Sequence, residues 1–144
     1  VATCDLAVAA DTAAFALPGG KGAWFCHTPL VAVARAMPRK RALEMAFTGD
    51  PVSAPTAEAW GLINQSVPPA QLESASQALL ERATVGTRFA KGWGKQTFYQ
   101  QVGLDQTAAY ALALEVMASH GLTPDAQERM RAFVEKRPAQ YGQG

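Results

Sequence analysis

Four consecutive side chains and the glycine turn before them are the first candidates for chemistry. Trp24, Phe25, Cys26 and His27 follow Pro18-Gly19-Gly20-Lys21-Gly22 after a single residue, Ala23. The His27 imidazole can act as a general base near neutral pH. It lies just before the helix start expected at Thr28-Pro29, where the positive end of the helix dipole favours the neutral ring. The plain alternative is a loop histidine satisfied by backbone groups. Cys26 could be a nucleophile activated by the same dipole, but no partner stands at a spacing that completes such a pair. Trp24 and Phe25 read as pocket wall rather than as catalysts.

Other chemistry is sparse. The first 68 residues hold five acids, Asp5, Asp11, Glu44, Asp50 and Glu58. None lies in the glycine turn, where a ligand would approach, and no acid–base pair is visible. His27 and His120 are far apart, without a carboxylate or second histidine at ligand spacing, so no metal site is expected. The glycines at 19, 20 and 22 do not meet the dinucleotide-binding spacing, and there is no nucleophile elbow or phosphate-binding loop. The turn is expected to use glycine for backbone conformations closed to other residues.

The elements that must hold these groups follow from patterning. Residues 6–10 form a small-apolar run that reads as a buried strand. Asp11-Thr12 breaks it. Residues 13–17 read as a second strand that Pro18 ends, since proline has no N–H to donate. Thr28 as N-cap and Pro29 as first helical residue open a helix filled by Leu30, Val31, Val33 and Ala34. A second helix starts at Pro38, with Leu43, Met45, Ala46 and Phe47 available for burial. Thr48-Gly49-Asp50-Pro51 is a turn. Ser53 caps a short helix that Gly61 ends, and residues 62–67 read as a last strand.

From Gln71 onward the pattern is helical. Leu72, Ala75, Leu79 and Leu80 keep 3–4 spacing. Residues 88–101 form a helix weakened by Gly92 and Gly94. Residues 104–119 are the most regular stretch, carrying Leu104, Ala108, Ala111, Leu112, Leu114 and Met117. Thr123-Pro124-Asp125 opens a last helix with Met130, Phe133 and Val134 on one side. Residues 141–144 read as a loose tail. Two parts result: 1–68, mixing strands and helices, and 69–144, helices alone.

Bulk properties exclude several classes. With 144 residues, 49% hydrophobic and 17% charged, the composition is globular. A net charge of +1 leaves no nucleic-acid face. No apolar run approaches the ~20 residues that span a bilayer, so no membrane partner is expected. Two cysteines in unlike contexts suit a reducing compartment. The chain opens inside a strand that needs neighbours on both sides, so it is expected to be a fragment of a longer protein.

The succession of short segments resembles the crotonase, or enoyl-CoA hydratase/isomerase, superfamily. The stretches that carry the likeness are Cys4-Asp5-Leu6-Ala7-Val8-Ala9 and Ala14-Phe15-Ala16-Leu17-Pro18. Next come Arg39-Lys40-Arg41-Ala42-Leu43-Glu44-Met45, Phe47-Thr48-Gly49-Asp50 and Val52-Ser53-Ala54. Ala57-Glu58-Ala59-Trp60-Gly61-Leu62-Ile63-Asn64 and Ala132-Phe133-Val134-Glu135-Lys136-Arg137 complete the set. The Phe25-Cys26-x-Thr28-Pro29 segment is similar to one branch in particular.

The resemblance implies an α/β protein. Residues 1–68 would be the C-terminal part of a β-β-α spiral core, and 69–144 a helical region that builds homotrimers, often paired into hexamers. The half before Val1 would carry the oxyanion-hole N–H groups and the first catalytic glutamate. The second catalytic glutamate follows the proline of the Phe-x-x-Pro piece, and Gly19 occupies that position. No residue of this chain is therefore expected to be catalytic. Leu17, Gly19, Trp24, Phe25, Cys26 and His27 are the acyl-pocket candidates. Phe133 and Lys136 match positions that reach the CoA of a neighbouring subunit. The ligand implied is an acyl-CoA thioester, with no further cofactor and no metal. The compartment implied is the cytoplasm, or the mitochondrial matrix in a eukaryote.

Overall fold

The computed structural model describes residues 1–142 and forms two units, Val1–Leu80 and Glu81–Gly144. The tail expected at 141–144 is described only at Tyr141 and Gly142. The Gly142 N–H donates to Asp125 Oδ1 at 3.1 Å, which ties that end of the chain to the last helix. Gln143 and Gly144 lie outside the described residues.

The first unit is built on two short strand pairs. β1 (Val8–Ala10) runs parallel to β4 (Gln65–Val67), with Ala9 opposite Ser66. β2 (Ala14–Phe15) runs antiparallel to β3 (Val52–Ser53), with Phe15 opposite Val52. β1, β2 and β4 are shorter than the apolar runs suggested, because a strand extends only as far as a ladder partner exists, and β3 was not expected as a strand at all. Asn64 brackets the start of the parallel pair. Its N–H donates to the Ala7 carbonyl and its Oδ1 accepts the Ala7 N–H, both at 2.8 Å. β1 and β4 are joined through three helices, the long connection that parallel pairing requires.

Those helices are α1 (His27–Ala36), α2 (Arg39–Thr48) and α3 (Ala54–Ala59). α1 turns Leu30, Val33 and, just past its end, Met37 inward at 3–4 spacing, while Val31 faces water. α2 buries Ala42, Met45 and Ala46. Phe47 and Leu43, expected in the core, are exposed. A helix buries one stripe, and Ala42-Met45-Ala46 already fills it. Ser53 caps α3 by accepting the Thr56 N–H at 3.3 Å, as its sequence suggests. Leu17, Val52, Ala54, Ala57, Leu62 and Ile63 complete the core, and burying each Leu, Ile or Val there contributes roughly 1.5–3 kcal/mol.

Two local expectations fail at the turn. α1 begins at His27 with Cys26 as N-cap, so Thr28 caps nothing and Pro29 is the third helical residue. The Leu30 N–H bonds to the Cys26 carbonyl at 3.1 Å, which fixes that boundary. The glycine turn is a 3-10 turn, Pro18–Lys21. Gly19, Gly20 and Gly22 do not take positive φ; Gly49, Gly61 and Gly86 do. At 20 glycine is required for space instead, and at 19 a Cβ would have to displace the Cys26 thiol. A Cβ on Gly20 would press on the Ala46 carbonyl oxygen and stand 2.8 Å from that of Phe47.

α4 (Leu72–Thr84) follows a second 3-10 turn at Pro69–Gln71 and half-buries Leu72, Ala75 and Leu79. The second unit holds α5 (Arg88–Gln101), α6 (Gln106–Gly121) and α7 (Pro124–Val134). Gly92 and Gly94 do not interrupt α5. α6 starts behind its cap, Asp105, so Leu104 is outside it. Its half-buried residues are Ala108, Ala109, Leu112, Ala113, Val116 and His120, while Ala111, Leu114 and Met117 face outward. α7 buries Ala132 and leaves Met130, Phe133 and Val134 exposed. Where a helix is apolar on more than one side, spacing alone does not tell which side packs.

Candidate functional site

Proline 18 turns the chain out of β2 and into the 3-10 turn, and α1 begins eight residues past Gly19. Between them the chain folds back so that Cys26 meets Gly19. The Gly19 N–H donates to Cys26 Sγ at 3.3 Å. A Cβ on Gly19 would stand 2.9 Å from that sulfur, 3.1 Å from Cys26 N and 3.2 Å from the Phe25 carbonyl carbon. Position 19 is thus backbone alone, closed off by a thiol.

Aromatic rings flank the pair. The Phe25 ring lies 5.2 Å from His27, edge-on, and 5.6 Å from Phe47. Phe25 and Cys26 are half-buried, and His27 is exposed in the first turn of α1. Trp24 is 81% exposed. Leu17 is 5% exposed and belongs to the core beneath the turn. Phe47 was missed by sequence reasoning because it was assigned to the core. Its place in the last turn of α2, just before Gly49, was the available signal.

A second missed group is an ion pair. Lys21 Nζ lies 2.7 Å from Asp50 Oδ1. Gly49 makes this possible. It ends α2 with φ 62, and a Cβ there would stand 2.9 Å from Lys21 Cγ. Asp50 therefore does reach the glycine turn, as a partner of Lys21. Two more of these acids are engaged elsewhere: Glu44 with Arg41 at 2.7 Å, and Glu58 with the Ser66 N–H at 2.8 Å. Arg41 also lies over the Trp60 ring, 4.8 Å from its centroid. The basic run 39–41 is thus partly absorbed by local contacts.

Phe133 and Lys136 stand at the end of α7. The Arg137 N–H bonds back to the Ala132 carbonyl at 3.0 Å and the Lys136 N–H to Phe133 at 3.3 Å. This is the Schellman helix ending, whose left-handed residue is usually glycine. Here it is Lys136, φ 54. Arg137 secures the arrangement, with Nη1 2.6 Å from Glu128 Oε1, Nη2 3.0 Å from Oε2 and Nε 2.6 Å from Glu135 Oε2. Those hydrogen bonds from Arg137, helped by the Gln140 N–H, hold the Glu128 carboxyl down at about 2. Glu128 and then Glu135 raise the Arg137 guanidinium above its ordinary value. Phe133 is 76% exposed beside this rigid end.

Two further features bear on binding. A groove of about 730 Å³ opens between α5 and α6, with Phe98, Val102, Tyr110 and Met117 among its walls. Among the described residues no three His, Cys, Asp or Glu side chains gather to hold a metal. No described helix is long and apolar enough to cross a membrane.

The family model described as Enoyl-CoA hydratase/isomerase matches residues 1–144. The chain belongs to the enoyl-CoA hydratase/isomerase family. Its fold is the crotonase fold, in part, followed by a helical region. An enoyl-CoA hydratase from Mycobacterium smegmatis superposes with a TM-score of 0.92 and 41% identity, covering 97% of this chain and 55% of that one. Human enoyl-CoA hydratase domain-containing protein 3 superposes at 0.89 with 42% identity and the same coverage. In sequence, the mouse protein of that name, described as mitochondrial, is 45% identical over 137 residues, covering 95% of this chain and 46% of its own. This is the branch that Phe25-Cys26-x-Thr28-Pro29 resembles. The chain spans about half the length of the curated relatives it matches.

Proposed function

We propose that this enoyl-CoA hydratase/isomerase-family chain contributes to an acyl-CoA-binding protein that stabilises a thioester enolate rather than carrying out two-acid hydration. Adding water to an enoyl thioester needs a base to activate the water and an acid to protonate Cα. The observation that carries the reading is Gly19. It has no side chain, and Cys26 Sγ lies where one would begin. A half-buried Phe25 beside Phe47 supplies an apolar wall suited to an acyl chain. Trp24, Cys26, His27 and Leu17 complete the proposed acyl end, Leu17 acting from beneath. Phe133 and Lys136 are the proposed CoA contacts, an aromatic face and a fixed cation. An oxyanion hole in the full-length protein would stabilise the enolate.

The same glycine favours a second reading, in which the protein binds acyl-CoA without turning it over. Incubating the full-length protein with crotonyl-CoA separates the two. Turnover of crotonyl-CoA that stays well below ordinary enzyme rates, on the order of 10 s⁻¹, supports the enolate-stabilising catalyst, and hydration at those rates overturns it. Binding without turnover supports the non-catalytic member. If neither CoA nor crotonyl-CoA binds, both readings fail.

Assembly belongs to the same proposal. α5, α6 and α7 leave Phe98, Tyr110, Leu114, Met117 and Val134 in water. A homotrimer, alone or paired into a hexamer, would cover them. The mitochondrial matrix is the proposed compartment for a eukaryotic source, the mouse relative being described as mitochondrial, and the cytoplasm otherwise.

A further inference from the structure

We propose that Cys26 is the positioning partner of Gly19: its thiol occupies the space that a side chain at position 19 would need and fixes the turn's backbone at the acyl end. The inference rests on the reading of that turn given above. Cys26 is the N-cap of α1, yet its side chain makes no cap hydrogen bond. Pro29, third in the helix, has no N–H, so one donor an N-cap side chain normally takes is missing. The thiol instead reaches back seven residues and accepts the Gly19 N–H at 3.3 Å, in a part-buried setting.

The closure is steric, not conformational. Gly19 has no positive φ, so its backbone shape is open to other residues. What a Cβ would meet is Cys26 Sγ at 2.9 Å, then the 25–26 backbone at 3.1 and 3.2 Å. The backbone contacts need shifts of tenths of an ångström, whereas the sulfur must leave its hydrogen bond. Positions 19 and 26 are therefore coupled. A carboxylate introduced by Gly19→Glu alone displaces the thiol and disturbs the turn; combined with Cys26→Gly it has room.

The experiment uses the full-length protein with Gly19→Ala, Cys26→Gly and the double variant, and probes crotonyl-CoA and free CoA by calorimetry. Gly19→Ala is expected to weaken crotonyl-CoA binding about tenfold and CoA binding less than about twofold, and the double variant to recover to within about threefold of Cys26→Gly. Unchanged crotonyl-CoA affinity in Gly19→Ala, or a double variant no better than that single one, overturns the proposal. Alkylation of Cys26, read by peptide mass, is expected to quicken about tenfold in Gly19→Ala as the thiol is displaced; an unchanged rate overturns it too. This second readout stands even if the parent binds neither ligand, which would sink the functional reading alone. Should Gly19→Ala not fold, Cys26→Ala takes its place. Amide exchange at Gly19 then rises about tenfold and Cys26→Ser restores protection, while unchanged exchange in Cys26→Ala overturns the closure.

Discussion

Arg137 holds both oxygens of Glu128, at 2.6 and 3.0 Å, and so clamps the chain beyond α7 onto the helix itself. Glu128 also accepts the Gln140 N–H at 3.0 Å. The Glu128 carboxyl lies at about 2, against an ordinary 4.5. The depressed value gives the sign: the carboxylate's contribution is complete above the unfolded value and is lost as pH falls from about 4.5 through about 2. An NMR titration should find the Glu128 midpoint near the lower end. In Arg137→Ala it should return toward the ordinary range, and protection of the Gln140 amide at pH 3 should disappear. A midpoint in the ordinary range in the parent would show that the clamp does not form in solution.

Lys136 depends on that clamp. A non-glycine residue in the left-handed region costs roughly 1–2 kcal/mol, yet Lys136 holds φ 54 where glycine is the usual ending. Lys136→Gly should therefore stabilise the protein, by roughly 0.5–1 kcal/mol, in thermal melts. If Lys136 contacts CoA as proposed, the same variant should bind CoA several-fold more weakly, the size expected on losing one charged hydrogen bond, about 1 kcal/mol or more. Stability and affinity moving in opposite directions distinguish a functional residue from a poorly chosen cap. Loss of stability would remove the argument from strain.

Much of the local architecture was legible because its causes are local. Ser53 and Thr123 cap the helices that follow them, each accepting an N–H three residues on, as their sequence suggests; Asp105 caps α6 in the same way, although the periodic stretch pointed to a start at Leu104. The 88–101 helix has the bounds that its flanking turns suggest. The acyl-end geometry was not legible, since it depends on a contact across seven residues. Gly19 and Gly20 looked like conformational glycines, and only the proximity of Cys26 and Ala46 shows that space is what they supply. Lys21 and Asp50 are 29 positions apart and meet only because Gly49 lets the lysine pass. The orientation of α6 was unreadable for another reason. Its apolar residues surround the helix, so only the packing of Ala108, Ala109, Leu112, Ala113 and Val116 selects the inner side.

That outer side carries a prediction about assembly. Leu114 and Met117 are exposed on α6. Replacing either with Glu should leave the fold intact, since surface substitutions usually change stability by about 0.5 kcal/mol or less. It should nonetheless break a trimer, because a charge in an apolar interface is costly. Sedimentation of the full-length protein would show a shift to monomer. An unchanged assembly in both variants would place the interface elsewhere.

Gly20 tests whether the turn is set by space. A methyl group at this position meets the carbonyl oxygens of Ala46 and Phe47, which belong to α2 and cannot rotate away. Gly20→Ala should destabilise by about 2–3 kcal/mol, the upper range for overpacking, whereas Gly22→Ala, whose added Cβ would meet nothing within 4 Å, should change stability by less than about 1 kcal/mol. Equal effects in chemical denaturation would mean that conformation, not contact, selects glycine here.

Gly49 combines both constraints and therefore gives the sharpest substitution. Its φ of 62 suits glycine, and a Cβ would stand 2.9 Å from Lys21 Cγ and 3.3 Å from the Leu17 carbonyl oxygen. The left-handed conformation alone costs alanine roughly 1–2 kcal/mol, and the lysine stem must move as well, breaking its 2.7 Å contact with Asp50. That exposed pair is worth little by itself, at most about 1 kcal/mol, so Asp50→Asn should be nearly neutral. Gly49→Ala should instead cost at least about 2 kcal/mol. If the two substitutions prove equally harmful, the ion pair rather than the helix ending holds the glycine turn against α2.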